Sequence, residues 1–288
     1  MNHPSVQEKA ARLTRLLQTI AVEAGGLTVA YSGGVDSAFL LAAASDALSS
    51  LEAPPPLIAL TALSPSYPEW EREPARELAS SLGVRQIEIE TDELERSAYR
   101  ENQGDRCFHC KEALFDGAER SWRSLIGSQA QGAMVYGAIT DDLGDHRPGM
   151  DSARQRGVIA PLIEAGLSKS DIRLLSKERG LPTWDKPASA CLASRFPYGV
   201  EVNAIRLAQV GRCEARLHAL GLRIVRARYH HELVRIELGD HELKQVLSDA
   251  QLRAEIIQQC KEVGFRFVSL DLEGYRSGSA NEALVVLQ

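Results

Sequence analysis

The segment Tyr31-Ser32-Gly33-Gly34-Val35-Asp36-Ser37 carries the residue types that hold a phosphate anion. Two glycines let a backbone approach phosphate oxygens closely, and the N–H groups of a helix starting there would point at the anion. Ser32 and Ser37 have hydroxyls able to donate to phosphate oxygens, and Asp36 can hold the Mg²⁺ that neutralises them. The loop is neither a Walker A sequence, because Gly-Lys-Ser/Thr is absent, nor a dinucleotide fingerprint. An ordinary strand-to-helix turn is the plain alternative, since Gly, Ser and Asp are common in turns. The complete hexapeptide directly after an apolar run favours the phosphate cradle.

A second set of reactive residues is made of thiols. Cys107-Phe108-His109-Cys110 opens a run of helical periodicity, and in a reducing compartment C-x-x-C reads as a metal, cluster or redox motif. One such pair cannot close a tetrahedral zinc site, which needs two further ligands. Cys191 lies far along the chain, inside the segment 186–199 (KPASACLASRFPYG). If a parallel sheet brings both segments to its carboxyl edge, three thiolates converge. That number suits a [4Fe–4S] cluster with one iron left open to an extra sulfide. The alternative is that all three are small buried hydrophobes. Polar neighbours Asp105, Arg106, His109 and Lys111 weigh against this for Cys107 and Cys110. Cys213 and Cys260, in amphipathic stretches without polar companions, read as core.

These residues need a frame, and the sequence predicts an α/β one. Ser5-Val6-Gln7-Glu8 is a capping box, followed by Leu13, Leu16, Leu17 and Ile20 at helical spacing up to Gly25-Gly26. Strands are expected at 27–31, 57–63, 86–89 and 134–136, alternating with helices at 36–48, after Pro74 and at 107–126. Such alternation implies a parallel sheet with helices on both faces, whose ligands bind at the carboxyl ends of the strands. The pattern changes near Tyr198-Gly199. A helix at 203–220, short strands at 223–229 and 233–238, one helix at 242–263 and a strand-like 265–272 make a smaller α+β domain. The expected division is 1–200 for nucleotide binding and 201–288 for substrate binding or oligomerisation.

Composition sets outer limits. The chain has 288 residues with 33 Lys+Arg against 39 Asp+Glu, a net charge of −6, which argues against a nucleic-acid partner. No run approaches the ~18 apolar residues of a membrane span, and the N-terminus MNHPSVQEKA has no apolar signal region. A cytoplasmic protein is therefore expected, with its five cysteines as thiols or ligands rather than disulfides.

The loop Ser32–Ser37 resembles the pyrophosphate loop of the PP-loop ATPases, or adenine-nucleotide alpha hydrolases, over residues 25–200. Four further segments narrow the resemblance: Arg106-Cys107-Phe108-His109-Cys110-Lys111, Gly137 to Asp142 with Asp145 to Gly149, the Cys191 segment ending Ser194-Arg195-Phe196-Pro197-Tyr198-Gly199, and Val225 to His230 with Arg235-Ile236-Glu237. Phe265 to Gly278 fits as well. Together they resemble the LarE family, ATP-dependent sulfur transferases of nickel-pincer nucleotide biosynthesis. The resemblance implies adenylation of a carboxylate of pyridinium-3,5-biscarboxylic acid mononucleotide, followed by replacement of AMP by sulfur from a sulfide or other sulfur donor. It implies ATP and Mg²⁺ contacts by Ser32, Gly33, Gly34, Asp36, Ser37 and Gly137, with adenosine near residues 59–64. It also implies a ring-like homo-oligomer, a hexamer being the expected form.

A substrate with two carboxylates and a phosphate needs arginine forks, and Arg195, Arg226 and Arg228 are the candidates, with Ser194 as a hydroxyl donor. Arg226 and Arg228 stand two apart on a strand and share a face; a solvated edge strand is the alternative. Family members with a single sacrificial cysteine place it at the position of Ala190 and lack the Cys107/Cys110 pair. The three-cysteine pattern here goes in the family with a [4Fe–4S] cluster bearing a transferable sulfide, and sacrifice of Cys191 is the second option. A tRNA-thiolating enzyme, an ammonia-using ligase and a non-catalytic nucleotide sensor share the loop. The acidic balance and the three thiols weigh against them.

Overall fold

The structure is a computed structural model that describes residues 4–125, 132–144, 148–188 and 190–276, with the side chains of 122–125 left out. In chain order its elements are α1 (Val6–Ala24), β1 (Leu27–Ala30), α2 (Val35–Ser49), β2 (Leu57–Leu63), α3 (Arg72–Ser81), β3 (Arg85–Glu90), α4 (Ser97–Arg100) and α5 (Arg106–Leu125). There follow β4 (Ala133–Tyr136), α6 (Pro148–Gln155), α7 (Pro161–Glu164), α8 (Lys169–Glu178) and α9 (Ala204–Ala219). The last are β5 (Val225–His230), β6 (Leu233–Leu238), α10 (Asp240–Ser248), α11 (Ala250–Glu262) and β7 (Phe267–Leu270).

The chain makes two compact units that are interleaved in sequence. Unit one takes Met1–Ser64, Glu71–Glu93 and Cys107–Lys186; unit two takes Pro65–Trp70, Leu94–Arg106 and Pro187–Gln288. Two short segments from the first half of the chain thus fold with the C-terminal part.

Unit one is built on a four-stranded sheet in the order β3-β2-β1-β4 with every pair parallel. Alternate strand residues feed two apolar layers, as a pleated strand requires. Leu27, Val29, Ala59 and Val135 join residues of α1, α2, α3, α7 and α8 in one layer. Ile58, Leu60, Ile87 and Ile89 join Leu114, Phe115 and Ala118 of α5 and Ala153 of α6 in the other. Helices therefore cover both faces, as the alternation of elements predicts. Helix α1 starts at the capping box, with Ser5 accepting from Glu8 N and Glu8 accepting from Ser5 N. Helix α2 is apolar nearly all round because α1 and α8 also pack on it.

Unit two holds a mixed sheet, β5-β6 antiparallel and β6-β7 parallel, with α9, α10 and α11. The single helix expected over 242–263 is two helices. Asp249 leaves helical geometry (φ −106°, ψ 105°), and its Oδ1 accepts from Gln251 N and Leu252 N to cap α11. Cys213 and Cys260 are fully buried, with sulfurs 3.5 Å apart. That contact and burial push the Cys213 thiol upward, so both act as core. Among the described residues, no helix is long and apolar enough to cross a membrane.

Candidate active site

The loop between β1 and α2 leaves the carboxyl end of the central strand pair. Gly33 has φ 71°, and a Cβ there would come within 2.7 Å of Ala75 Cβ in α3, so only glycine fits. Tyr31, buried, donates its hydroxyl to Ala75 O at 3.0 Å and fastens the loop to the same helix. Gly34 is the N-cap of α2 and gives no side-chain cap, which leaves the first-turn N–H groups of α2 available to an anion. Ser37 is buried and ties the loop internally: its Oγ accepts from Ser32 N at 3.2 Å and donates to Gly34 O at 3.2 Å. Ser32 is exposed, its hydroxyl 3.2 Å from that of Ser37.

Gly137 follows β4. A Cβ there would lie 2.9 Å from Ser37 N and 3.0 Å from Asp36 C, so its contribution is to let the chain rest against the first turn of α2. The next residues are then folded tightly. Asp142 accepts from Ile139 N at 3.0 Å, Thr140 bonds to Leu167 O, and Asp141 accepts from Lys169 N at 3.0 Å. This places Lys169, the first residue of α8, with its Nζ 2.7 Å from both carboxylate oxygens of Asp36. Lys186 also reaches the loop, donating to Gly33 O at 3.0 Å and pairing with Glu71. Sequence reasoning missed both lysines. The capping box Ser168-x-x-Asp171 marks the start of α8, but no local rule ties Lys169 to an aspartate 133 positions away.

Cys107 is exposed and Cys110 half-buried in the first turns of α5, three residues apart and hence on one face. His109 Nδ1 lies 3.3 Å from Glu112 Oε2. Gly149 at the start of α6 meets this turn, since a Cβ there would touch Lys111 Cγ and Cys107 O. Asp145, His146 and Arg147 lie outside the described residues, as do Ser189, Ser277 and Gly278. In kind, two accessible thiols one turn apart suit a thiolate-bound iron–sulfur group, and a third thiol is needed. Among the described residues, no three His, Cys, Asp or Glu side chains form a group that could hold a metal ion.

Cys191, half-buried, precedes the tight turn Leu192–Arg195 in unit two. Two buried arginines hold this turn. Arg195 Nη1 donates to Ala190 O (2.8 Å) and Cys191 O (3.2 Å), and Arg106 Nη1 donates to Ala193 O (2.8 Å). Leu192 N donates to Ser66 O at 2.8 Å.

The three candidate arginines differ in their partners. Arg195 is forked on Glu214 at 2.7 Å twice, with side-chain exposures of 1% and 0%. Burial opposes both charges, and each partner overrides it. Arg195 holds the Glu214 carboxyl below the ordinary range, and Glu214 holds Arg195 above its own. Arg228 is forked on Glu237 at 2.9 and 2.8 Å and donates to Ser194 O at 2.8 Å. Arg226, also buried, donates to Val225 O at 2.7 Å and to Ala188 O, and its guanidinium lies 4.9 Å from the Tyr275 ring centre. No ion pair joins it to a carboxylate among the described residues. Burial, then the charge of Arg195, pushes its pKa down, against the attraction of the Glu214 carboxylate. Ser194 Oγ accepts from Arg195 Nη1 at 2.9 Å beside it.

No protein-family model matches the chain. An uncharacterized protein of Synechocystis sp. is 40% identical over 256 residues, covering 89% of this chain and 92% of that protein. The pyridinium-3,5-bisthiocarboxylic acid mononucleotide synthase of Lactiplantibacillus plantarum is 33% identical over 262 residues, covering 91% of each. Among solved structures, NMN synthetase from Francisella tularensis superposes with a TM-score of 0.48 at 16% identity, covering 91% of this chain and 95% of that one. At that identity and coverage to the Lactiplantibacillus synthase, the chain belongs to the LarE family of ATP-dependent sulfur-transfer enzymes.

Proposed function

We propose that this chain uses ATP to adenylate a carboxylate of pyridinium-3,5-biscarboxylic acid mononucleotide and then replaces AMP with sulfur. The observation that carries the reading is the glycine loop at the end of β1, with the uncapped N-terminus of α2 behind it. Backbone N–H groups of that turn and the Ser32 hydroxyl receive the polyphosphate, while Ser37 and Gly137 keep the turn in shape. A substrate carboxylate oxygen attacks the α-phosphorus, the bond to the β-phosphate oxygen breaks, and pyrophosphate leaves. A sulfur nucleophile then attacks the acyl carbon, AMP departs, and a thiocarboxylate remains. Asp36 would hold Mg²⁺, which supplies charge neutralisation of the polyphosphate, and Lys169 is the residue that must release that carboxylate.

Arg226 is suited to the substrate's phosphate or carboxylate, because no ion pair joins it to a carboxylate among the described residues and the half-buried Ser194 hydroxyl sits beside Arg195, whose charge acts on Arg226. Arg195 and Arg228, forked on Glu214 and Glu237, hold the surrounding cluster rigid. Cys107, Cys110 and Cys191 would hold a [4Fe–4S] cluster, which supplies a transferable sulfide. The second source is Cys191 itself: its thiolate takes the acyl group, AMP leaves, and loss of the Cα proton with cleavage of Cβ–Sγ leaves dehydroalanine. Cys191 is half-buried, so its sulfur is partly open to an acyl adenylate. The acidic balance supports a small-molecule substrate rather than nucleic acid, and a homo-oligomer in the cytoplasm is read from the family.

The test combines anaerobically purified protein, ATP, Mg²⁺, the pyridinium mononucleotide and sulfide, with mass spectrometry of the small molecule and of the Cys191 peptide. Thiolated product with AMP and pyrophosphate is expected; no pyrophosphate release with this acceptor overturns the reading. Iron and acid-labile sulfide with an intact Cys191 peptide identify the cluster route, and loss of one sulfur from that peptide identifies sacrifice.

A further inference from the structure

Unit two gathers three buried arginines, Arg195, Arg226 and Arg228, around two buried carboxylates, Glu214 and Glu237. Arg195 and Ala227 N take the oxygens of Glu214, and Arg228 and Arg235 take those of Glu237. Arg226 stands opposite Glu237 in the β5–β6 register, yet that carboxylate is committed to its neighbours. Arg226 directs N–H groups at two carbonyls, those of Val225 and Ala188. A guanidinium carries five N–H donors, so the others have no acceptor among the described residues.

A tight turn in the same unit brings an aromatic ring onto this guanidinium. After β7, Asp271 N donates to Ile236 O at 2.9 Å, and the Asp271 carboxylate pairs with Arg235. Asp271 Oδ1 accepts from Glu273 N at 2.9 Å, and Gly274 N donates to Asp271 O at 3.2 Å. Gly274 has φ 70°, and a Cβ there would lie 2.8 Å from Leu238 O, so glycine lets the chain close on the end of β6. Tyr275 N then donates to Leu238 O at 2.7 Å, and its ring centre rests 4.9 Å from Arg226 Cζ. The ring is half-buried, and the Tyr275 oxygen is near enough to act on the charges of both Arg195 and Arg226. Its hydroxyl has no hydrogen-bond partner among the described residues.

Spare N–H groups of a buried cation and a spare phenol hydroxyl thus meet at one place, with both nearby carboxylates already engaged. Donors without acceptors are costly to bury, and an oxyanion satisfies both at once. The ring face covers one side of the guanidinium and holds its plane, which leaves the N–H edge for the ligand.

We propose that Tyr275 is a further substrate-binding residue: its ring fixes the Arg226 guanidinium, and its hydroxyl donates to the oxyanion that Arg226 receives, a phosphate or carboxylate of the mononucleotide. The proposal rests on Arg226 being the substrate's anchor. The test is calorimetric titration of the full chain, without ATP, with the pyridinium mononucleotide. Separate arms use inorganic phosphate and pyridine-3,5-dicarboxylate, and the arm that Tyr275→Phe weakens identifies the group held there. Tyr275→Phe keeps the ring and removes the hydroxyl; it is expected to raise the mononucleotide Kd at least about fivefold with an unchanged urea midpoint. Tyr275→Leu also removes the ring and is expected to raise the Kd at least about fivefold further, by freeing the guanidinium. The Tyr275→Phe result stands by itself if Tyr275→Leu does not fold. Mononucleotide binding that falls in Arg226→Met but is unchanged in Tyr275→Phe overturns the hydroxyl's role, and Tyr275→Leu no weaker than Tyr275→Phe overturns the ring's. Absence of mononucleotide binding, or binding that Arg226→Met leaves unchanged, overturns the anchor reading together with the proposal.

Discussion

Replacing Arg195 by methionine separates two roles that one residue name covers, holding the Cys191 turn and touching substrate. The side chain is completely enclosed, forked on an equally enclosed Glu214, and it also serves the carbonyls of Ala190 and Cys191. Charges about 4 Å apart at an effective dielectric of about 20 attract by roughly 4 kcal/mol. Removing one partner of a buried pair costs about 3–5 kcal/mol, because the remaining charge is left without its counter-ion. Among the described residues Glu214 would keep the Ala227 N–H, at 2.8 Å, and the more distant charge of Arg226. Arg195→Met is therefore expected to lower stability by about 4 kcal/mol, which with a urea slope of about 1–3 kcal/mol per molar moves the midpoint down by more than about 1 M. Trp70 is a convenient reporter, because its ring lies 5.2 Å from that of His218 of α9, tilted by 53°, and both belong to unit two. The double variant Arg195→Met/Glu214→Leu should fall no further than the worse single variant, giving a coupling energy of about 3 kcal/mol. An unchanged midpoint combined with lost turnover would refute the reasoning and make Arg195 a substrate ligand.

Three further outcomes are expected. Arg226→Met should change the unfolding free energy by no more than about 1 kcal/mol, since Arg226 holds no ion pair among the described residues, while KM for the mononucleotide rises at least about tenfold; an unchanged KM counts against Arg226 as the anion anchor. Gly33→Ala should abolish measurable ATP binding by calorimetry, because the new methyl meets Ala75 at 2.7 Å in a left-handed backbone; binding within about threefold would contradict the close fit. The Glu88 carboxyl, hydrogen-bonded by Arg76 and Arg72, is depressed to about 2. A depressed carboxylate stabilises the fold above its unfolded pKa near 4.5, and that contribution is lost as pH falls from there toward 2. Thermal melting across this window should therefore show a smaller acid-dependent loss in Glu88→Gln than in the natural protein, and an identical loss contradicts the assignment.

The parts of the site that the sequence makes legible are those built from neighbours in the chain. The run 27–37 spells an apolar strand, a glycine turn and a helix start, and the structure has β1, the loop and α2 there. Side-chain alternation on β5 places Arg226 and Arg228 on one face, but nothing local says that Arg228 finds Glu237 while Arg226 finds two carbonyls and the Tyr275 ring. Lys169 with Asp36, Lys186 with Gly33 and Arg195 with Glu214 are pairings made by the tertiary fold, and no spacing rule reaches them. Apolar periodicity runs straight through Asp249, which hides the break between α10 and α11 because that break depends on the aspartate's own capping bonds. The 148–186 stretch, with α6, α7 and α8, is short-helix territory in which periodicity is weakest.

The interleaving of the two units has a practical consequence for anyone cutting the gene. Since Pro65–Trp70 and Leu94–Arg106 fold with the C-terminal part, a fragment stopped near residue 200 would strand both segments without the helices and strands they pack on. The C-terminal part cannot be exchanged like a bead on a string; swapping it between relatives would require transplanting those two inner stretches in the same operation.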